Sequence, residues 1–220
     1  MVRISLDTVY CMDCAEGLSG LQDESVDVIL TDPPYIGDLF EKAYQTLADH
    51  AARVLKPSGF LVTYAGQYHL DKTMQILSGV ELNWFWLVCQ ENGGPSTYIH
   101  PRNILARFKP ILIYQKSPTS KSPRMLTDRI GGRRSKVHHP WEQYIGDSLH
   151  ILKALAKPGM TVVDPFCGSG TALLAAKLLG MHWVGFEISQ EYCEVSRRRL
   201  TQKPLDIQTW EPSKALVEVI

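Results

Sequence analysis

The chain has 220 residues, of which 45% are hydrophobic, and its 23 basic residues balance its 23 acidic residues. This length suits one domain with a sizeable core, so we expect residues 1–220 to form a single domain. No apolar run approaches the roughly 20 residues that a membrane span needs, and the opening MVRISLDTVY lacks the apolar core of a signal peptide. A cytoplasmic protein without a membrane partner is therefore expected.

The cysteines favour free thiols. There are five of them, an odd number, scattered at positions 11, 14, 89, 167 and 193 rather than paired in a framework. Cys11 and Cys14 form a C-x-x-C pair, but neither a second such pair nor spaced histidines complete a zinc site. No metal is expected.

Charge is unevenly distributed along the chain. The segment from His100 to His138 contains ten Lys or Arg and one acid, Asp128, which gives it a net charge of +9. Its stretches KSPTSKSPR and RIGGRRSKVHH are rich in Ser, Pro and Gly, which is typical of a solvated loop. We expect residues 93–138 to form a basic, flexible lobe that binds a nucleic-acid backbone.

Strands alternate with helical patterns, which predicts an α/β fold with a mostly parallel sheet and helices on both of its faces. In such sheets a ligand binds outside the carboxyl ends of the strands. The predicted strands are Val26–Thr31, Phe60–Tyr64, Trp84–Cys89, Pro110–Tyr114, Thr161–Val163 and His182–Phe186. The predicted helices are Leu39–Leu55, Leu70–Leu77, Asp147–Ala156, Thr171–Leu179 and Gln190–Leu200.

The first predicted strand ends in Asp32-Pro33-Pro34-Tyr35. Two prolines remove two backbone N–H donors and fix φ twice, so the carbonyls face outward as acceptors. Asp32 adds carboxylate oxygens and Tyr35 adds a flat face, an array that suits the exocyclic amine of a nucleobase. The plainer alternative is a stiffened turn in which Asp32 caps the next helix.

A glycine-bearing turn follows a later strand. After Thr161–Val163 come Asp164-Pro165-Phe166 and then Gly168-Ser169-Gly170-Thr171, where the small residues let a ligand approach the backbone and the following helix offers free N–H groups. A dinucleotide fingerprint would place a third glycine where Leu173 stands.

The next strand ends at Glu187, which is placed to accept hydrogen bonds from ribose hydroxyls. Phe186 and Ile188 are its apolar neighbours and could contact an adenine ring. The alternative interpretation is an ordinary βαβ unit with an exposed acid.

The segments DPPY, DPFCGSGT and GFEIS together resemble the motifs of the S-adenosylmethionine-dependent DNA amino-methyltransferases, in particular the N6-adenine type. The catalytic motif precedes the cofactor motif, as in the β-class arrangement, so the resemblance implies a circularly permuted Rossmann-like methyltransferase sheet. It covers residues 9 to 200.

The resemblance also implies roles for individual residues. Asp32, Pro33, Pro34 and Tyr35 would hold the target base. S-adenosylmethionine would be bound by Asp13 and Cys14 of the segment CMDCAEGL at its adenine, by Glu187 and Ile188 at its ribose and adenine, and by Asp164, Phe166, Gly168, Ser169, Gly170 and Thr171 at the glycine turn.

One segment departs from the family pattern. His139 is expected to reach the cofactor carboxylate, although Gln143 and Tyr144 stand where family members often have Lys-Pro. Arg197–Arg199 are expected to decorate a helix C-terminus, where the helix dipole favours cations.

The implied reaction is direct methyl transfer to adenine N6 in double-stranded DNA, with the base flipped out of the helix. RNA is not excluded as a substrate, and a homodimer is a family expectation. The alternatives are N4-cytosine methylation, whose subgroup more often has Ser in place of Asp32, protein glutamine methylation, which goes with Asn-Pro-Pro-Tyr, and a non-catalytic nucleic-acid-binding module. The sequence specifies neither a recognition site nor a cognate restriction enzyme.

Overall fold

The computed structural model describes residues 3–34, 37, 39–91, 97–100, 102–122, 124–131 and 144–201. Strands and helices alternate through most of this part of the chain. In chain order they are β1 (Thr8–Cys11), α1 (Cys14–Ser19), β2 (Val26–Thr31), α2 (Leu39–Val54), β3 (Leu55–Tyr64), a 3-10 turn (Gln67–His69), α3 (Leu70–Ser78), β4 (Leu82–Glu91), β5 (Thr97–Ile99), β6 (Ile104–Ala106), β7 (Phe108–Lys116), β8 (Arg129–Gly131), α4 (Ile145–Leu155), β9 (Thr161–Asp164), α5 (Thr171–Leu178), β10 (His182–Glu187) and α6 (Gln190–Thr201).

Eight of the strands form one sheet in the order β1-β10-β9-β2-β3-β7-β4-β8. Neighbouring strands are parallel, except that β7 runs antiparallel to both β3 and β4. The carboxyl ends of β2, β3, β4, β9 and β10 therefore meet at one edge of the sheet, and β7 begins at that edge. We call it the C-terminal edge. Strands β5 and β6 form a separate antiparallel hairpin.

Helices cover both faces of the sheet, as predicted. Successive residues of β2 point to opposite faces, which is why this strand is an unbroken apolar run. On one face, Ile29 packs in a cluster with residues of α1, α2 and α3. On the other, Val28 and Leu30 pack with residues of α4, α5 and α6. The predicted α/β fold is confirmed.

The amphipathic pattern of α2 fixes the chain that follows the Asp32 turn. Its buried residues recur at helical spacing from Phe40 to Val54, so one stripe faces the sheet. Within that stripe, the Tyr44 hydroxyl donates a 2.6 Å hydrogen bond to the Tyr64 carbonyl at the end of β3. This bond holds the first half of α2 at the C-terminal edge.

The basic segment 93–138 is divided between different parts of the structure. Strand β7 lies inside the large sheet, and β8 pairs with β4 at its margin. Lys116 of β7 pairs with Glu24, and Arg129 of β8 pairs with Glu91. Part of the positive charge counted in the sequence is thus neutralised within the fold. No helix in the described ranges is long and apolar enough to cross a membrane.

Candidate active site

The ends of β2 and β9 are joined by a buried carboxylate. The strands are paired so that Ile29 lies opposite Val163. Beyond this pair, the Thr31 hydroxyl donates to Asp164 Oδ1 at 2.7 Å, and the Phe166 N–H donates to the same oxygen at 3.1 Å. The Asp32 turn and the glycine turn are therefore held side by side.

Burial raises the pKa of Asp164 to about 7, although these two hydrogen bonds lower it in part. The negative charges of Asp32 and Glu187 add to the rise of this pKa.

Glu187 ties the glycine turn to the end of β10. Its Oε2 accepts a 2.9 Å hydrogen bond from the Gly168 N–H, and its Oε1 accepts a 2.8 Å bond from the Ser189 N–H. Gly168 and Gly170 have φ of +49° and +80°, in the left-handed region that favours glycine. Since a carboxylate has about four lone-pair sites, Glu187 can still accept hydrogen bonds from a ligand.

Two predicted site residues point away from the ligand side of the turn. Ser169 and Thr171 are only 5% and 7% exposed. The Arg199 guanidinium of α6 donates to the Ser169 carbonyl at 2.7 Å and to the two hydroxyls at 2.9 and 3.3 Å. These side chains therefore stabilise the turn from the side that faces α6.

Arg198 and Arg199 lie in the last turn of α6, as expected for the arginine cluster. The structure adds specific contacts: Arg199 binds the glycine turn, and Arg197 donates to the Val9 carbonyl of β1 at 2.9 and 3.1 Å. The i, i+2 spacing of Arg197 and Arg199 in the sequence does not predict these hydrogen bonds.

A cavity of about 190 Å³ opens beside Glu187. Leu39 and Ile188 at this cavity are 63% and 75% exposed, so they offer apolar surface to a flat ring. Of the predicted residues, Asp13, Cys14, Pro34, Phe166, Glu187 and Ile188 line it. Sequence reasoning missed the wall contributed by α2, which consists of Leu39, Lys42, Ala43 and Thr46.

Asp13 and Cys14 open helix α1 at this cavity. The Asp13 carboxylate caps the helix by accepting a 2.8 Å bond from the Ala15 N–H. Burial, and secondarily the charge of Asp13, raises the pKa of the Cys14 thiol to about 11. Cys14 therefore stays protonated near neutral pH and is a poor nucleophile.

The Asp32 carboxylate is bound by a lysine that the sequence analysis had counted in the basic lobe. Lys109 Nζ donates to Asp32 Oδ1 at 2.9 Å and to Oδ2 at 2.7 Å. The same ammonium lies 4.8 Å from the centre of the Tyr64 ring. Nothing local in the sequence marks Lys109, because its proximity to Asp32 follows from the antiparallel course of β7. Tyr35 and His139, two further predicted site residues, lie outside the described residues.

Comparison with known proteins agrees with this geometry. Residues 148–198 match a family model described as DNA methylase. The chain is 27% identical over 206 residues to YubD of Escherichia coli (strain K12), which is named as a methylase, with 86% of this chain and 87% of that protein covered. These matches support the DNA N4/N6 amino-methyltransferase family.

A second relative is the type II methyltransferase M.HpaI of Haemophilus parainfluenzae. It is 26% identical over 237 residues, which cover 87% of this chain and 73% of that protein.

Solved structures of methyltransferases share the fold. The M1.HpyAVI complex with S-adenosylmethionine superposes with a TM-score of 0.72 at 21% identity, covering 89% of this chain and 99% of that one. The TTHA0409 protein of Thermus thermophilus, also complexed with S-adenosylmethionine, gives 0.73 at 19% identity, with 88% and 92% covered. The cytosine-N4-specific PvuII DNA methyltransferase gives 0.75 at 20% identity, with 92% and 89% covered. The Rossmann-like methyltransferase sheet is thereby confirmed.

Proposed function

We propose that this protein transfers a methyl group from S-adenosylmethionine to the N6 amine of adenine in double-stranded DNA. The observation that carries the proposal is the 2.7 Å bond between Thr31 and Asp164. It holds the Asp-Pro-Pro turn of β2 against the glycine turn of β9 at one edge of the sheet. A base held at the first turn would face a cofactor held at the second.

The cofactor is S-adenosylmethionine, and the described residues fit it. A Cβ built on Gly168 would meet nothing within 4 Å, so the turn leaves open space next to Glu187. Glu187 can accept from the ribose hydroxyls, and Ile188 and Leu39 can cover the adenine ring. The negative charge of Glu187 suits the cationic sulfonium, which supplies an activated methyl group.

Adenine N6 is a poor nucleophile because its lone pair is delocalised into the ring. If Asp32 accepts one N6 hydrogen and the Pro33 carbonyl accepts the other, the nitrogen is held in a pyramidal geometry with its lone pair aimed at the glycine turn. The negative charge of Asp32 stabilises positive charge that develops on the nitrogen. The prolines keep these acceptors fixed before the substrate arrives, so catalysis comes mainly from positioning.

A base inside a duplex cannot reach this turn, so the target must be flipped out, and we propose that Tyr35 stacks on it. The segment 93–138 is the proposed DNA-binding region. Its described part includes the β5–β6 hairpin, which leaves the sheet after Glu91 and returns at Phe108, both at the C-terminal edge. We also propose that the protein is cytoplasmic and forms a homodimer.

Nucleoside analysis of DNA treated with the purified protein and S-adenosylmethionine tests this function. We expect N6-methyladenine as the product. N4-methylcytosine as the product would instead identify cytosine as the target base. This alternative is tested because the cytosine-N4-specific PvuII enzyme has the same fold. Absence of methyl transfer to any DNA or RNA, despite cofactor binding, would favour a non-catalytic module.

A further inference from the structure

Lys109 is held at the C-terminal edge by a rigid element. It lies in β7 opposite Gln90 of β4, and the next residue, Pro110, accepts a 2.9 Å hydrogen bond from the Ala65 N–H at the end of β3. Its side chain is 16% exposed and that of Asp32 is 25% exposed. The pair is therefore partly shielded from solvent, where an ion pair is screened less than at the surface.

The contact of Lys109 with both Asp32 oxygens, which we call the clamp, restricts the orientation of the carboxylate. Rotation of an Asp carboxyl about its Cβ–Cγ bond is broad and only weakly restricted. A single ammonium that donates to both oxygens, at 2.9 and 2.7 Å, restricts that rotation. The Tyr64 ring next to the ammonium limits where Lys109 itself can move.

The clamp leaves Asp32 able to act as an acceptor. One ammonium donating to both oxygens takes about two of the four lone-pair sites of the carboxylate. Because each carboxylate oxygen has two lone pairs, an oxygen that accepts from Lys109 can also accept a hydrogen from an amine. Lys109 also supplies a positive charge next to Asp32, whose negative charge acts on the nearby Asp164 carboxyl.

We infer that Lys109 is a positioning residue for methyl transfer: it holds the Asp32 carboxylate in the orientation that accepts a hydrogen of the target amine. This inference rests on the proposed function and deepens it. It separates Lys109 from the other basic residues of segment 93–138, to which the sequence assigned DNA backbone binding. A phosphate contact would govern DNA affinity, whereas a positioning residue governs the rate of the transfer step.

The test compares Lys109→Met with Lys116→Met in the full chain. Lys116 is a matched control because it lies in the same strand, is 15% exposed and is also paired with an acid, Glu24. The readouts are the single-turnover rate at saturating DNA and cofactor, the Kd for S-adenosylmethionine, and the Kd for DNA at two salt concentrations. Thermal unfolding of each variant confirms that it is folded.

We expect Lys109→Met to lower the single-turnover rate on the order of 10- to 100-fold, because a misplaced acceptor spoils the reacting geometry. Both Kd values and the salt dependence of DNA binding should stay within about twofold of wild type. Lys109→Arg should recover part of the rate, since a guanidinium can also donate to both carboxylate oxygens. Lys116→Met should react at the wild-type rate.

A wild-type rate in Lys109→Met would overturn the inference, as would weaker DNA binding with an unchanged rate. A Lys109→Arg rate no higher than that of Lys109→Met would point to lost packing and would also overturn it. If Lys109→Met does not fold, Lys109→Gln takes its place under the same criteria. The wild-type protein in the same assay tests the proposed function separately, because its failure to methylate would be independent of any Lys109 variant.

Discussion

Glu187 connects three parts of the candidate site through one carboxylate. Its two oxygens accept from the Gly168 and Ser189 N–H groups, and the residue also lines the cavity. Replacing it by Gln puts an amide N–H₂ where one oxygen accepts a backbone N–H. The substitution therefore disturbs the turn as well as the ribose contact.

We predict that Glu187→Gln weakens S-adenosylmethionine binding about 10-fold or more, since hydrogen bonds to a charged acceptor are lost. Isothermal titration calorimetry would measure the Kd. Glu191→Gln, an exposed acid in the first turn of α6, is the control and should bind normally. Equal affinities for the two variants would contradict the assigned role of Glu187.

Asp164 is expected to make the folded protein less stable as the pH rises. Its folded pKa of about 7 lies above its ordinary value of 3.8, so between these values the folded carboxyl keeps a proton that the unfolded one has released. Stability should thus fall as pH rises through this window and level off above it.

Asp164→Asn stays neutral and should escape this loss. We predict that, without cofactor, the free energy of unfolding of Asp164→Asn minus that of wild type is larger at pH 8 than at pH 5. The increase should be about 1 kcal/mol or more, since one pKa unit corresponds to roughly 1.4 kcal/mol. Urea denaturation at the two pH values measures the difference. An identical difference at both would show that Asp164 does not titrate in this range.

The sequence predicted which side chains gather at the C-terminal edge better than it predicted their contacts. Motif spacing was enough to place Asp32 just after β2 and Glu187 at the end of β10, because both strands are apolar runs. Lys109 and Arg199 reach the site from elements remote in the chain, so no local pattern could identify them. Ser169 shows the same limit, since its orientation toward Arg199 depends on how α6 packs.

The glycine turn combines a left-handed backbone with open space for a ligand. Gly159, in the turn before β9, offers a comparison: it has φ of +82°, and a Cβ there would also meet nothing within 4 Å. Alanine at Gly159 or Gly168 should therefore carry a similar conformational cost. The two positions differ in that Gly168 borders the proposed cofactor site.

We predict that Gly168→Ala and Gly159→Ala each lower stability by about 1–2 kcal/mol, the cost of a left-handed conformation for a residue with a Cβ. We expect only Gly168→Ala to weaken cofactor binding, by about 10-fold, because its methyl group occupies space next to Glu187. Thermal unfolding and cofactor titration measure the two effects. Unchanged cofactor affinity in Gly168→Ala would place the cofactor elsewhere.

The β5–β6 hairpin exposes apolar side chains at the C-terminal edge. Tyr98 and Leu105 lie opposite each other and are 53% and 58% exposed. Arg102 connects the hairpin to the 3-10 turn that follows β3, because its guanidinium lies 4.4 Å from the centre of the Tyr68 ring. Exposed apolar groups beside a flipped base can contact the bases that remain stacked.

We predict that Tyr98→Ser and Leu105→Ser each weaken DNA binding about 10-fold, in line with the energy of contacts between side chains and bases. Fluorescence anisotropy with a labelled duplex would measure the Kd, and cofactor affinity should not change. Met125→Ser is the control, since Met125 is exposed but follows the opposite end of β7 along the chain. Normal DNA binding by both hairpin variants would remove the hairpin from the DNA interface.

Long periodic elements were predicted within one to a few residues, as α2 and β2 illustrate. The elements missed were short: β1, α1, β5, β6 and β8 contain too few residues to show a period. Helix α1 is set by the Asp13 cap and by packing of its buried Leu18. Such tertiary determinants are not visible in a local pattern.

The strand order of the large sheet explains why two motifs far apart in the chain act together. Strands β2 and β9 are neighbours, although more than a hundred residues separate Thr31 from Asp164. Alternating strands and helices predicted a sheet, and the family resemblance implied this permuted order. Composition and periodicity alone do not determine which strands are adjacent, because many orders would bury the same apolar faces.

Asp32 is the acceptor proposed to face the cofactor methyl group, and Asp32→Ala tests this role most directly. The measurement is methyl transfer to DNA in single turnover, with the Kd for S-adenosylmethionine determined on the same preparation. We predict a loss of rate on the order of 1,000-fold or more with cofactor affinity within about twofold of wild type. Methylation by Asp32→Ala at a rate near that of wild type would contradict the account.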